Sequence, residues 1–131
     1  MAPYMFVDRV RRGLPVPRFG DGTTRRDYTY VDDIVDGVLR SVDRAYPCQV
    51  INLGRGSGTS LAAFIDLVAR HVGRPAEVRA LPAQPGDVPF TNADVSKARR
   101  LLGYAPRVST DEGVRRTVAW FREAFGEEGR G

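Results

Sequence analysis

Apolar residues recur along this chain with the spacing of amphipathic helices. The clearest case begins at Val31, where apolar residues stand at offsets 0, 3, 4, 7, 8 and 11, one face of a helix with 3.6 residues per turn. Asp32 and Asp33 fall in its first turn, where the helix dipole favours negative charge. The pattern therefore predicts an amphipathic helix whose apolar stripe is Val31, Ile34, Val35, Val38, Leu39 and Val42.

Capping residues and glycines mark the ends of four other predicted helices. A side-chain oxygen at the N-cap satisfies a free backbone N–H, and glycine readily takes the left-handed conformation that ends a helix. The first is residues 4–12, ended by Gly13, and the second is capped by Thr59 or Ser60 and ended by Gly73. A short third helix is capped by Asp94 and ended by Gly103. The last begins at the capping box Ser109-Thr-Asp-Glu112.

Short extended segments lie between these helices. Residues 14–19 contain two prolines and predict an edge strand, while residues 28–31 and 49–53 have the β-branched and aromatic content of strands. Residues 76–81 alternate weakly, and three prolines make residues 82–89 a loop. The pattern predicts an α/β fold: a small lobe of helices with a few short strands, too few for a complete doubly wound sheet.

Length and composition indicate one domain in a reducing setting. The 131 residues fit a single unit, which we expect over residues 1–126, with a frayed tail at 127–131. No apolar run approaches the ~20 residues that span a bilayer, and no signal peptide is visible. One cysteine, Cys48, and one histidine, His71, make neither a disulfide nor a zinc site. We therefore expect a cytoplasmic protein without membrane or metal.

The basic residues are almost all arginine. The net charge is +4, and the only lysine is Lys97. Arginine suits a polyanionic ligand such as a diphosphate, but codons of a GC-rich genome produce the same bias. Because the arginines are dispersed among acids and no nucleic-acid motif is present, we expect no nucleic-acid partner.

Three motifs in order along the chain carry a resemblance to a known family. They are Gly20-Asp-Gly-Thr-Thr-Arg-Arg-Asp-Tyr-Thr-Tyr-Val-Asp-Asp33, then Ile51-Asn-Leu-Gly54, and finally Gln84-Pro-Gly-Asp-Val-Pro89 with Ala93-Asp-Val-Ser-Lys-Ala98 and Leu101-Leu-Gly-Tyr-Ala-Pro106. Together they resemble the C-terminal lobe of the extended short-chain dehydrogenase/reductase family, in its nucleotide-sugar epimerase and dehydratase branch. The third motif looks most like those of UDP-glucuronate and UDP-glucose 4-epimerases.

The resemblance also implies elements that this chain lacks. The family uses a tyrosine four residues before a lysine for hydride chemistry on NAD, whereas Ala93 precedes Lys97 by four residues. The glycine turn at 54–58 has Thr59 where the dinucleotide fingerprint needs its third glycine. We therefore expect no catalytic residue and no cofactor site here, with NAD held by an N-terminal Rossmann domain outside this chain.

The resemblance assigns UDP-sugar contacts to several residues. Arg26 would hold the diphosphate, Asp87 the ribose hydroxyls and Phe19 the base. The residues alone also allow Arg26 to be a surface arginine paired with Asp27 or Asp21, and Phe19 to be an ordinary core residue.

Five further positions complete the predicted site. Pro17 would offer a backbone group to the base, and Asn52 would reach the ribose-phosphate or bond its own turn. Leu61 and Tyr28 would line the pocket or serve only in packing. Gln84 is a departure, since many relatives have arginine there; this fits the uronate-epimerase subgroup better than a dTDP-glucose dehydratase.

Two functions follow from this reading. The first is the UDP-sugar-binding part of an NAD-dependent epimerase or dehydratase, most similar to a 4-epimerase and catalytically incomplete as this chain. The alternative is a non-catalytic interaction module. In both, apolar surface that would pack on the Rossmann domain is uncovered, so we expect a homo-oligomer.

Overall fold

The structure is a computed structural model that describes residues 2–44 and 46–126; the predicted tail at 127–131 lies outside the described residues. Five helices and four short strands follow one another in these described residues, and the α/β class predicted from sequence is confirmed. The elements are α1 (Ala2–Arg12), β1 (Val16–Phe19), β2 (Arg25–Arg26), α2 (Val31–Val42), β3 (Thr59–Ser60), α3 (Leu61–Val72), β4 (Val78–Leu81), α4 (Ser96–Leu102) and α5 (Thr110–Phe125).

The strands form two small sheets of two strands each. β1 and β4 pair in parallel, with Val16 opposite Val78 and Phe19 opposite Leu81. β2 and β3 pair antiparallel, with Arg25 opposite Ser60. Residues 14–19 are thus extended as predicted, and the weak alternation at 76–81 does correspond to a strand.

The main core lies where α1, α3 and α5 meet beneath β1. Phe6 and Val10 of α1, Phe64 of α3 and Phe121 of α5 are almost completely buried there, as is Val16 of β1. A buried aromatic or aliphatic side chain contributes about 1.5–3 kcal/mol relative to exposure. This cluster is therefore the main source of stability, and it fixes the strands that carry the candidate site.

Local capping determines where the helices begin and end. Ser60 Oγ accepts from Ala63 N at 3.2 Å at the start of α3, and Gly73 ends that helix in the left-handed conformation. At α5, Ser109 Oγ accepts from Glu112 N, but the Glu112 carboxylate binds Arg115 and Arg116, so only half of the predicted capping box forms. At α4 the predicted Asp94 cap is wrong: the N-cap is Val95, and Asp94, one residue earlier, accepts from Ser96 N. Among the described residues, no helix is long and apolar enough to cross a membrane.

The apolar stripe of α2 lies largely on the surface. The helix has the predicted extent, and it packs on α4. Its buried residues are Asp33 and Gly37, whereas Leu39 is 60% and Val42 76% exposed. An amphipathic helix normally turns its apolar face to a core. No part of the described chain covers this face.

Two predicted strands are wrong. Residues 27–30 have no strand pairing, and the ladder begins instead at Arg25–Arg26, where Thr59–Ser60 lies alongside. Residues 49–53 are irregular, and Val50 is 81% exposed. A strand requires a neighbour for its backbone groups, and residues 49–53 find none in the described parts of the chain.

Candidate functional site

The candidate site is built around β2, which holds Arg26 between two other segments. The β2 backbone pairs with β3 on one side. On the other side, Arg25 N donates to Pro89 O at 2.9 Å and Thr91 N donates to Arg25 O at 3.1 Å. The end of the proline-rich loop is thereby fixed beside Arg26.

Arg26 and Asp87 form an ion pair across this junction. One Arg26 amino group donates to an Asp87 carboxylate oxygen, and the other donates to Arg25 O at 2.8 Å. The two side chains are 28% and 41% exposed. The alternative pairing of Arg26 with Asp27 or Asp21 is wrong, because Asp27 accepts backbone N–H groups and Asp21 accepts from Thr23.

Phe19 and Pro17 lie on β1, at the start of the same loop. Phe19 is opposite Leu81 and Pro17 is opposite Arg79 in the parallel ladder, and both are partly buried. Gly20 N donates to Leu81 O at 2.9 Å, which ties the turn after β1 to the residue that opens the loop. An aromatic face thus stands where the chain leaves β4 toward Asp87.

Tyr28 and Leu61 contribute to packing. The Tyr28 ring stacks on Phe64 with centroids 4.0 Å apart, and burial raises the pKa of Tyr28 while nearby Arg26 opposes that rise. Leu61 packs against the same core cluster. Tyr28 also borders a mostly apolar cavity of about 100 Å³ between α1, α3 and α5. The packing roles considered for these two residues are therefore present, although Tyr28 packs on a helix and not across a strand.

Asn52 and Gln84 are both exposed. None of the hydrogen bonds found in the described residues joins Asn52 to Arg26 or Asp87, and none closes a turn of its own. The Gln84 carbonyl accepts from Asp87 N at 3.2 Å, and Gly86 within this turn has φ +82°. Gln84 thus shapes the loop through its backbone.

Asp27 is a key residue that the sequence did not reveal. Its carboxylate accepts from Arg55 N at 3.1 Å, Gly56 N at 2.9 Å and Ala93 N at 3.0 Å. The amides of the glycine turn therefore point at Asp27. Dinucleotide sites need such amides for a pyrophosphate, so this turn does not fit NAD.

Asp33 is a second carboxylate whose role was not predicted from the sequence, and unlike Asp27 it is buried. It is 5% exposed and accepts from Arg107 N at 2.8 Å and Val108 N at 3.0 Å. The predicted interaction of Asp33 with the helix dipole is thus only part of its role. The Asp33 carboxylate also holds the segment before α5 through these two hydrogen bonds. No sequence signal links residues more than 70 positions apart.

Chemically, the arrangement is one of recognition. Lys97, the only lysine of the sequence, donates to Val50 O at 2.8 Å, and Ala93 stands four residues before it where the family has tyrosine. The candidate site supplies a cation on β2 (Arg26), a carboxylate on the exposed loop after β4 (Asp87) and an aromatic ring on β1 (Phe19). Such a set can hold an anion, a diol and a flat ring together.

Comparison with known proteins shows the family of this chain. The sequence model of the GDP-mannose 4,6 dehydratase family matches residues 4–117. The chain belongs to this family. It is 38% identical over 94% of its length to a UDP-glucuronate 4-epimerase of Thermodesulfobacterium geofontis, and 35% identical over 95% to a probable UDP-glucuronate 4-epimerase of Rhizobium meliloti.

A solved structure shows the same architecture. The UDP-glucuronic acid 4-epimerase of Bacillus cereus, in complex with UDP-glucuronic acid and NAD, superposes on 95% of this chain with a TM-score of 0.89 at 31% identity. The chain spans 38% and 42% of the two curated relatives and 40% of the solved one. The resemblance to nucleotide-sugar epimerases and dehydratases is thereby confirmed.

Proposed function

We propose that residues 1–126 are the UDP-sugar-binding part of an NAD-dependent 4-epimerase. The observation that carries this proposal is the ion pair of Arg26 with Asp87, which lies on the loop that begins after Leu81, the β4 residue opposite Phe19. Three relatives support it, because the two curated epimerases and the solved one are UDP-glucuronate 4-epimerases, that of Rhizobium meliloti a probable one. The nucleotide would be held here and the sugar would extend away from this chain.

Each part of a uridine diphosphate has a suitable partner in this set. A guanidinium has a fork of donors that matches two phosphate oxygens. A carboxylate can accept from both hydroxyls of a ribose, and a phenylalanine face suits a nucleobase. In this proposal Arg26, Asp87 and Phe19 take these roles, and Pro17 offers its backbone carbonyl beside the base.

This chain would contribute binding and no redox chemistry. Its glycine turn does not fit NAD, so we place NAD and the catalytic pair in the remaining part of the enzyme. Binding energy from a remote nucleotide orients the sugar for a reaction elsewhere. We expect no epimerase activity from the 131-residue chain alone, and turnover by the pure chain would refute this.

Calorimetric titration with UDP tests the binding role. We expect the unmodified chain to bind UDP, and Arg26→Gln to bind it at least tenfold more weakly, since a charged hydrogen bond contributes about 1.5–3 kcal/mol. Arg100→Gln, an exposed arginine on α4, is the control with the same charge change and should leave the affinity unaltered. Equal affinity in both variants would remove Arg26 from the site.

A second candidate function rests on the exposed apolar face of α2. Val31, Val35, Val38, Leu39 and Val42 are each about half exposed or more. Contiguous apolar surface of this kind marks an interaction site. We propose that the rest of the enzyme covers this face in the complete protein, and that copies of the isolated chain associate through it.

A further inference from the structure

β4 is an edge strand whose outer side lies open. It pairs with β1, and no other strand of the described chain pairs with it. Glu77 O accepts from Val16 N at 2.7 Å, and Leu81 O accepts from the turn after β1 at 2.9 Å, so the odd-numbered residues direct their backbone groups toward β1. Because successive residues of a strand direct these groups to opposite sides, those of Val78 and Ala80 point to the open edge.

The side chains along this edge are also available to a partner. Val78 is 40% exposed, and Glu77, Arg79 and Ala80 are exposed as well. Among the described residues, the carboxylate of Glu77 and the guanidinium of Arg79 make no hydrogen bond and no ion pair. Since side chains alternate between the faces of a strand, these two opposite charges lie on the same face, one on each side of Val78. A row of free backbone groups at such an edge is a template for a further strand.

We propose that β4 pairs with β4 of a second copy of this chain, antiparallel and in a register centred on Val78. The two-fold axis of such a pair sets each Glu77 opposite the Arg79 of the other copy. Opposite charges that face each other directly stabilise an antiparallel pair of strands. The short charged sequence Glu77-Val-Arg79 is therefore complementary to itself, which identifies a second copy of the chain as the partner.

The backbone favours the same register. In an antiparallel ladder, the two residues of a hydrogen-bonded pair exchange both of their bonds. Val78 can form such a pair with Val78 of the other copy, and Ala80 can form one with Ala76. A register centred on Arg79 would set two guanidinium groups opposite each other and would need backbone groups that already bond β1. One centred on Ala80 would set Val78 opposite Pro82, which has no N–H to donate.

Disulfide cross-linking of the full 131-residue chain tests this register. Cys48→Ala removes the exposed native thiol and gives the parent protein. In this parent, Val78→Cys should form a linked dimer in a glutathione redox buffer, because the Cα atoms of a directly opposite hydrogen-bonded pair lie about 5.5 Å apart, within the range of a disulfide. Ala80→Cys is the matched control and should stay unlinked, because its Cα atoms would lie about 14 Å apart in this register.

Charge reversal tests the two ion pairs. In the Val78→Cys chain, Glu77→Arg or Arg79→Glu alone sets like charges opposite each other twice, and should lower the dimer yield about tenfold. The double variant Glu77→Arg/Arg79→Glu recreates both ion pairs with the charges exchanged, and should restore the yield. All of these positions are exposed, so the substitutions leave the fold intact.

The pattern of linkage decides the proposal. A dimer with Val78→Cys and none with Ala80→Cys, weakened by each single reversal and restored by the double one, supports it. No dimer with Val78→Cys, equal linkage at both positions, or a double variant that stays as weak as the single ones overturns it. Adding Val38→Lys on α2 to the Val78→Cys chain should leave the linkage unaltered. Loss of the linkage there would also overturn the proposal, because β4 would then meet its copy only as a result of association through α2.

Discussion

A single carboxylate, that of Asp27, joins three backbone N–H groups from two distant segments. Arg55, Gly56 and Ala93 all donate to it at 2.9–3.1 Å. Arg26 immediately before it in the chain pairs with Asp87. Two neighbouring residues thus have different partners: Asp27 accepts from the glycine turn that leads into β3, and Arg26 pairs with the loop after β4.

Replacement of Asp27 by asparagine tests this structural role. The amide keeps one acceptor oxygen but turns an NH₂ group toward backbone donors. Either Arg55 N is left with Thr29 Oγ1 as its acceptor, or Gly56 N and Ala93 N both lose theirs. We expect the free energy of unfolding in urea to fall by about 2 kcal/mol. The exposed Asp66→Asn should stay within about 0.5 kcal/mol of the unmodified chain, and an equally small effect at Asp27 would contradict this role.

Glu112 in the first turn of α5 makes the free energy of unfolding depend on pH. Hydrogen bonds from Arg115 and Arg116 lower the pKa of Glu112 from 4.5 to about 2. Because the pKa in the folded state lies below that of the unfolded chain, the contribution of this carboxylate is complete above pH 4.5 and is lost as the pH falls toward 2.

The unfolding free energy of the unmodified chain should therefore exceed that of Glu112→Gln at neutral pH. The difference should shrink as the pH falls from 4.5 to 2, because the glutamine variant lacks this titration while all other groups are shared. Urea unfolding of both proteins at several pH values measures it. A difference that stays constant over this range would show that the ion pairs of Glu112 do not contribute.

At the scale of elements, the helices are the part of the fold that the sequence predicts well. Ser60, Gly73, Gly103 and Ser109 act within a few residues of themselves, so their effect is visible without knowledge of the tertiary structure. Strands depend on a neighbour elsewhere in the chain. This is why β2 lies earlier than the β-rich segment 28–31, and why 49–53 is irregular.

The cap of α5 gives a direct test at this scale. Ser109→Ala removes the acceptor for Glu112 N and should lower the free energy of unfolding by about 1 kcal/mol. Ser109→Thr keeps an oxygen in the same place and should recover most of that loss. If both variants unfold at the same urea concentration as the parent chain, the cap contributes nothing.

The candidate site was predictable only in part, for a similar reason. A family motif points to Arg26 and Asp87, and the structure brings them into contact. Leu61 and Tyr28 pack on the core, which no local pattern distinguishes from lining a pocket. The backbone partners of Asp27 and Asp33 lie 28 to 75 residues away in the chain.

For the molecule as a whole, the exposed apolar face of α2 is consistent with a chain that is much shorter than its relatives. The chain covers about two fifths of each of them, and the helix that carries its strongest apolar stripe has that stripe uncovered. The stripe was read correctly from the sequence. The periodicity predicts the stripe but does not predict whether another surface packs against it.

Self-association of the isolated chain tests whether the exposed face of α2 binds another copy. Light scattering should show a mass that rises with protein concentration, and Val38→Lys should shift the chain toward the monomer because a charge then has to be buried. Val88→Lys is the matched control, because Val88 is similarly exposed and lies away from α2, in the loop after β4. A monomer at all concentrations would show that α2 does not mediate association of this chain.

The central claim is that this chain alone holds a uridine nucleotide and does not hold NAD. Thermal unfolding with UDP, and separately with NAD, tests it most directly, because a ligand at about 100 times its dissociation constant stabilises the folded state by about 2.7 kcal/mol. We predict a rise in the midpoint with UDP and none with NAD. Stabilisation by NAD, or none by UDP, would contradict the claim.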